Sequence, residues 1–332
     1  MTALRIATLN CLNLALPGRR FYDGVDPYTP DEYIAKTQWL ATMLDRLAAD
    51  FVLLQEVFHE QALSDVVRQS AGGARSWSLA VPLADQGNVK PRLAIVWRQP
   101  WRPSLKSIAE FPPGCAVEVP ETGKHAGFSR PLLRAEVPLP QFGGTMLTLF
   151  NVHLKSRRPE FADGDDPDDP QLAARAQLRS LIRRGAEAAA LRAIVEQTAG
   201  ASALVVGGDL NDDIGSVTTR IVADPPAGPA GDGGARWQLV DAFEAARSPA
   251  SARPGQAAPF TSLDGDAAER IDHLLVSSHF VPGSTRSIGR VTTVEVLGDH
   301  LFERRRAAGG GVPLERVYAD HAALCVTIEP LA

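Results

Sequence analysis

The stretch Ala203-Leu204-Val205-Val206-Gly207-Gly208-Asp209-Leu210-Asn211 constrains this chain more than any other. An apolar, partly β-branched run stops at two glycines, a carboxylate and an amide. This predicts a buried strand that delivers Asp209 and Asn211 to a sheet edge. A carboxylate and a carboxamide in such a place are costly unless they bind something. The arrangement recurs. Leu4 to Leu9 is predicted as a strand ending at Asn10, Asp50 to Glu56 as a strand ending in a carboxylate, and Thr145 to Leu154 as a strand carrying Asn151 and His153, with Lys155 and Arg157 just beyond. Two further strand-like segments carry their polar residues at the beginning: Asp272 ahead of Leu274 to Val276, and Asp320-His321 ahead of Ala322 to Ile328. If these run antiparallel to the others, every unusual polar residue falls on one edge. Each residue alone reads as an ordinary buried polar group; six such placements converging is poorly explained that way.

Between the strands, a helix is expected after Thr29 or Asp31, with Ile34, Leu40, Met43, Leu44 and Leu47 as its apolar stripe. A weaker helix covers Gln61 to Gln69. A long Ala- and Arg-rich helix starts at Asp169-Pro170 and runs to about Thr198, facing a sheet with Leu178, Leu181, Ile182, Ala189, Ile194 and Val195, and breaking near Gly185. The acidic loop before it, Asp163 to Asp169, lacks the spacing of a calcium loop and reads as a solvated linker. Strands are predicted around Leu93 to Trp97 and over Leu132 to Val137. Pro100 to Gly127 yields no more than a hairpin with a long loop, and Pro225 to Gly234 and the segment with Arg304, Arg305 and Arg306 read as surface loops.

Composition narrows the function classes. The hydrophobic share of 45% over 332 residues is ample for a packed core. A net charge of -5 argues against a coat of positive potential, so tight nonspecific nucleic-acid binding is not the first expectation. Cys11, Cys115 and Cys325 are odd in number and far apart, which points to neither a disulfide framework nor a zinc site. No apolar run approaches a membrane span and no signal-peptide pattern opens the sequence, so a soluble cytoplasmic protein is expected.

The residue types suggest a chemistry. Glu56, Asp320 and Asn10 offer hard oxygen ligands, which suit magnesium or manganese better than zinc. Asp209 and Asn211 can hold a water, and Asp272 with His321 can move its proton. There is no Gly-x-Ser-x-Gly elbow, Walker loop or dinucleotide fingerprint. Metal-assisted hydrolysis of a phosphate ester needs this set of parts.

In order, Asn10, Gln55-Glu56, Asn151-x-His153, Gly208-Asp209-x-Asn211, Arg270-Ile271-Asp272-His273 and Asp320-His321 make the sequence resemble the endonuclease/exonuclease/phosphatase superfamily, which includes DNase I, abasic-site endonucleases, neutral sphingomyelinases and inositol polyphosphate phosphatases. The resemblance spans almost the whole chain. It implies one domain over residues 1–332 of class α/β (α+β): a four-layered α/β/β/α sandwich of two packed mixed β-sheets flanked by helices, with the active site at one end. It also implies magnesium held by Glu56 with help from Asn10 and Asp320, a water oriented by Asp209 and Asn211, His321 paired with Asp272, and His153 contacting or protonating a phosphate oxygen. Asn151, Lys155, Arg157 and Arg130 complete the expected substrate contacts. Some nucleases of the family carry a charge where this chain has Leu12, so their substrate details do not follow. The resemblance leaves open whether His321 or Asp209 takes the water's proton. A catalytically inactive binding module would have lost a ligand or the base, and here all are present. The expected substrate is a small phosphoester or nucleotide, with DNA or RNA cleavage as the alternative.

Overall fold

The computed structural model describes residues 2–82, 90–199, 201–224, 238–246, 259–264, 267–304 and 312–331. Strand β1 (Leu4–Leu14) leads to helix α1 (Pro30–Leu47), β2 (Phe51–Val57), α2 (Glu60–Gln69), α3 (Gly73–Ser76), β3 (Trp77–Ala80) and β4 (Arg92–Arg98). Next come β5 (Ser104–Glu110), a hairpin of β6 (Val117–Val119) and β7 (Gly123–His125), β8 (Gly127–Leu139), β9 (Thr145–His153) and the long α4 (Pro170–Thr198). Then follow β10 (Ala203–Asp209), α5 (Val217–Ala223), β11 (Leu239–Asp241), α6 (Ala242–Ala245) and a hairpin of β12 (Ser262–Asp264) and β13 (Ala267–Glu269). The chain continues through β14 (Asp272–Ser277), β15 (Gly289–Leu297), α7 (Asp299–Glu303), α8 (Leu314–Val317) and β16 (Ala323–Pro330).

Two six-stranded sheets result, ordered β15-β16-β1-β2-β4-β3 and β11-β14-β10-β9-β8-β5. The pairs β1–β2 and β9–β10 are parallel and the other pairs in these sheets antiparallel, so both are mixed. Alternation along each strand builds the layers. Phe51 and Leu53 of β2 point into the core between the sheets, where they join Ala203 and Val205 of β10; Val52 and Leu54 face outward with residues of α1 and α2. On the far side, Leu204 and Val206 of β10 pack with Leu191 of α4 and Val222 of α5. Burial on both faces explains the uninterrupted apolar runs of the sequence. The result is the expected four-layered α/β sandwich.

Local departures have physical causes. β1 continues past Asn10 to Leu14, with a register irregularity against β2 and left-handed backbone at Leu12 (φ 51) and Asn13 (φ 59). α1 starts where expected, with Thr29 and Glu32 forming a reciprocal cap, but Ile34 is exposed rather than part of the apolar stripe. α4 runs unbroken through Gly185, and its Leu178 and Leu181 face solvent. Its inward positions there belong to Arg179, Ser180 and Arg184. Arg179, only 1% exposed, donates to Asp165 (2.7 Å), Glu121 and the carbonyls of Pro120 and Glu160. The acidic loop is therefore docked on α4 rather than a free linker: Asp165 binds Arg179 and Asp169 caps the helix. The unassigned stretch after Pro100 holds β5 and the β6–β7 hairpin. The expected loop Pro225 to Gly234, and Arg305 and Arg306, lie outside the described residues. No described helix is long and apolar enough to cross a membrane.

Candidate active site

Strand register gathers the site in the second sheet. Asp209, the last residue of β10, stands opposite His153 of β9 and Asp272 of β14. The first sheet brings Asn10 on β1 and Glu56 on β2, with Asp320 and His321 just ahead of β16. Two glycines allow this approach. A Cβ on Gly207 would lie 2.6 Å from Leu274 Cδ2 and 2.8 Å from Leu53 Cδ1, so the residue is the thin point between the sheets. Gly208 has φ +143, and a Cβ there would overlap the Val152 carbonyl oxygen. Glu56 (φ 59) takes left-handed backbone, a strained choice for its side chain that turns it out of the regular strand alternation, and Asn211 (φ 55), just past β10, takes it as asparagine readily does.

Asp209 is the hub. Its Oδ2 accepts from Asn10 Nδ2 at 3.1 Å and lies 3.4 Å from His153 Nε2 and 3.9 Å from His321 Nε2; its Oδ1 accepts from the Asn211 backbone N–H at 2.8 Å. Asn10 Nδ2 also reaches Glu56 Oε1 at 3.4 Å, while Glu56 Oε2 accepts from the Asn13 N–H at 3.1 Å. His321 Nδ1 and Asp272 Oδ2 are 2.7 Å apart, and Asp320 Oδ1 lies 3.9 Å from His321 Nε2. The pair is braced from behind. Thr261 Oγ1 accepts from the Asp272 N–H (3.1 Å), the Thr261 carbonyl accepts from the Ala322 N–H (2.6 Å), and His300 Nε2 meets the His321 carbonyl at 2.9 Å.

Burial makes the charges of this cluster unusual. It pushes the Asp209 carboxyl up to about 7; Asp272 adds to the rise and His321 opposes it. For His321 burial works against the charge, but Asp272 and Asp209 outweigh it and hold the imidazole well above its ordinary value. His153 goes the other way: burial, reinforced by Arg130 and His321, keeps it well below. One histidine therefore favours the charged form and its neighbour the neutral one.

Among the described residues, the His, Asp and Glu side chains that converge closely enough to hold a metal ion are Asp209, Asp272 and His321, all buried, with ligand atoms within 4.8 Å of one another; the expected ligands Glu56 and Asp320 are not in that group. Buried Asp272 Oδ1 and Asp320 Oδ1 have no hydrogen-bond partner. Asn10 presents Nδ2 to the carboxylates, while its Oδ1 accepts from the Leu12 N–H at 3.0 Å, so acting as an oxygen ligand requires its amide to turn.

The expected substrate contacts fare unevenly. Asn151 is fully buried between the sheets: its Nδ2 donates to the carbonyls of Leu54 (3.0 Å) and Ala94 (2.8 Å), and its Oδ1 accepts from Gln55 Nε2 (2.7 Å). It is thus a tie between layers and is not brought to the open edge. Lys155 turns to α4, with Nζ 3.4 Å from Ser180 Oγ and 3.9 Å from Glu160. Arg157 braces the site loop, donating Nε to the Asn211 carbonyl (2.9 Å) and Nη1 to Glu269 (2.7 Å). Arg130 does face the cluster. It donates to the Leu154 carbonyl at 3.4 Å, and its charge acts on Tyr22, His153 and Lys155.

Two contributors escaped the sequence reading. Tyr22 comes from the β1–α1 loop, where nothing marks it. Glu187, wholly buried on α4, accepts from Ser129 N (2.9 Å), Ser129 Oγ (2.6 Å) and Lys155 N (2.7 Å), fixing the residues just before Arg130 and just after Leu154. Its signal was present: a single carboxylate inside the small-residue run Ala186 to Ala190.

Solved structures share this architecture at low identity. An endonuclease/exonuclease/phosphatase from Bacteroides vulgatus aligns over 100% of both chains with a TM-score of 0.56 and 15% identity. Truncated TDP2 from Caenorhabditis elegans covers 98% of each chain at 17% identity and TM-score 0.54. TDP2 from D. rerio, solved with a single-strand DNA product, covers 99% of this chain and 100% of its own at 14% identity and TM-score 0.54. Among curated proteins, none matches by sequence. The model of the endonuclease/exonuclease/phosphatase family matches residues 7–300, a span that includes Asn10, Glu56, His153, Asp209 and Asp272. With that match laid over the paired strand ends, the chain belongs to the endonuclease/exonuclease/phosphatase family.

Proposed function

We propose that the chain hydrolyses a phosphate mono- or diester with the help of Mg2+, or of Mn2+ in its place, and that the substrate is a small phosphoester or a nucleotide. The observation that carries this reading is the single buried hub at Asp209, which His153, His321 and Asn10 all approach within 3.9 Å. When bound, the cation would neutralise nonbridging oxygens and stabilise the leaving oxygen. Glu56 and Asp320 would hold it, joined by Asn10 once its amide has turned. Asp209 and Asn211 would orient the attacking water, Asn211 being steadied through Arg157. Asp272 fixes the imidazole of His321 through Nδ1, which leaves Nε2 facing Asp209 and the water. His153, kept neutral, would donate Nε2–H to a phosphate oxygen, with Arg130 supplying a guanidinium charge beside it.

Glu56→Gln tests the reading. It keeps the shape of the side chain and removes its charge, so metal-dependent release of p-nitrophenol from bis(p-nitrophenyl) phosphate should fall by about a hundredfold or more with the fold intact. A variant with undiminished activity and the same metal requirement would remove Glu56 from the ligands. A second reading, cleavage of a DNA or RNA strand, gains support from the similarity to a TDP2 solved with single-strand DNA product. Against a broad grip on duplex stands the net charge of -5.

A further inference from the structure

Among the described residues Phe302 is the one aromatic side chain that is mostly exposed, at 58%. It does not stand alone. Phe260 supports it edge-on, with ring centroids 5.9 Å apart and planes at 87°. Both rings are tied to the elements that hold the His321–Asp272 pair. Phe260 directly precedes Thr261, which bonds the backbones of Asp272 and Ala322, and Ser262, which bridges to His321. Phe302 lies on α7, two residues after the His300 that meets the His321 carbonyl.

Sheet order places Asp272, beside which Thr261 and so Phe260 sit, and Arg130 on opposite sides of the hub. Asp272 is on β14 and Arg130 on β8, with β10 and β9 between them, a separation of about 14 Å at ordinary strand spacing. A phosphorus atom near Asp209 would thus have the Arg130 guanidinium toward β8, and toward β14 the segments that carry the exposed ring of Phe302. Inositol phosphates have no planar face to offer that ring, and a choline headgroup would bind it through its cation, for which aromatic sites usually supply several rings around the ammonium rather than one open face. A nucleobase has a planar face, joined to its phosphate by a sugar of suitable length.

We propose that Phe302, backed by Phe260, is a stacking platform for the base of a nucleotide whose phosphate is the scissile one. The inference rests on the phosphoesterase reading and narrows its substrate to a nucleoside phosphodiester or an unpaired strand end.

The test compares two esters in Mg2+, the p-nitrophenyl ester of thymidine 5′-phosphate and methyl p-nitrophenyl phosphate, which share a leaving group and differ in carrying a nucleoside or a methyl group; the Phe302 variants separate the base's share from the sugar's. The ratio of their kcat/KM values should be about tenfold or more in favour of the nucleoside ester, should collapse in Phe302→Ala mainly through KM, and should return in Phe302→Trp. A ratio near one, or one that Phe302→Ala leaves alone, overturns the platform. A second arm needs no turnover: a single-stranded oligonucleotide ending in 2-aminopurine, mixed with the protein in EDTA. Fluorescence quenching by the unsubstituted chain and Phe302→Trp but not by Phe302→Ala supports stacking of a strand end, and no quenching there, with the ester ratio intact, assigns the platform to mononucleotide esters. If neither ester is hydrolysed, the phosphoesterase reading fails, and quenching alone decides the platform: its presence upholds it and its absence overturns it.

Discussion

Lys36 shows how far a single residue can depart from its type. It lies on α1 with no exposed surface, its Nζ has no hydrogen-bond partner, and the nearest ring face is Tyr28 at 5.6 Å. Burial lowers its pKa to about 8, although Cys11, Asp320 and Glu56 pull the other way. The unfolded chain would hold this proton up to about pH 10.4, so between about 8 and 10.4 it binds more protons than the folded chain. Stability therefore rises with pH across that window, and below it the full penalty applies. Lys36→Met should raise stability at pH 7 by on the order of 1–3 kcal/mol and flatten that rise. Urea unfolding at pH 7 and pH 9.5 reads both effects; a variant less stable than the parent at pH 7 would mean that the charge is better compensated than its contacts suggest. At this scale the sequence was most legible where a polar residue interrupts an apolar strand, as at Glu56, Asp209 and Asp272. It was least legible where a buried structural amide and a substrate contact have the same signature, as at Asn151.

Among the elements, β10 carries the tightest steric demand. Gly208→Ala puts a methyl group into the Val152 carbonyl at a backbone angle that L-residues avoid, so a loss of about 3 kcal/mol or more is expected, together with displacement of Asp209 and lower activity in whatever folds. Gly185→Ala is the matching control. Its Cβ would meet nothing within 4 Å inside α4, and a gain of about 0.5–1 kcal/mol is expected. Thermal melts of the two should move in opposite directions, and a tolerated Gly208→Ala would mean that β9 and β10 can separate. The pair also marks what periodicity could read. The double glycine before a carboxylate predicted the strand end, because steric need and sequence coincide there. Ile194 and Val195 face the core as expected, but the first half of α4 was misread: Arg179 and Arg184, paired with Glu121, Asp165 and Asp212, turn inward there while Leu178 and Leu181 face solvent. Ion pairing that spans distant loops leaves no local period.

For the molecule as a whole, the decisive feature is how firmly two sheets are held at one spacing. Asn151 spans them with three hydrogen bonds, and Asn151→Ala would leave the carbonyls of Leu54 and Ala94 and the amide of Gln55 without those partners. We expect a cost of about 3–5 kcal/mol in denaturant unfolding. Unchanged stability with a raised KM would instead support the substrate contact expected from sequence. The layered architecture was legible because both-face burial writes continuous apolar strands in fixed order, whereas inter-sheet ties are written only in three dimensions. The topology has one more consequence, in time rather than space. β16 sits between β15 and β1, so while the ribosome is still reading earlier codons one flank of β1 waits unpaired and the imidazole of His321 does not yet exist. Glu56 and Asp209 are made long before His321, and the His321–Asp272 pair cannot close until residue 321 has emerged and its strand has slid into the gap.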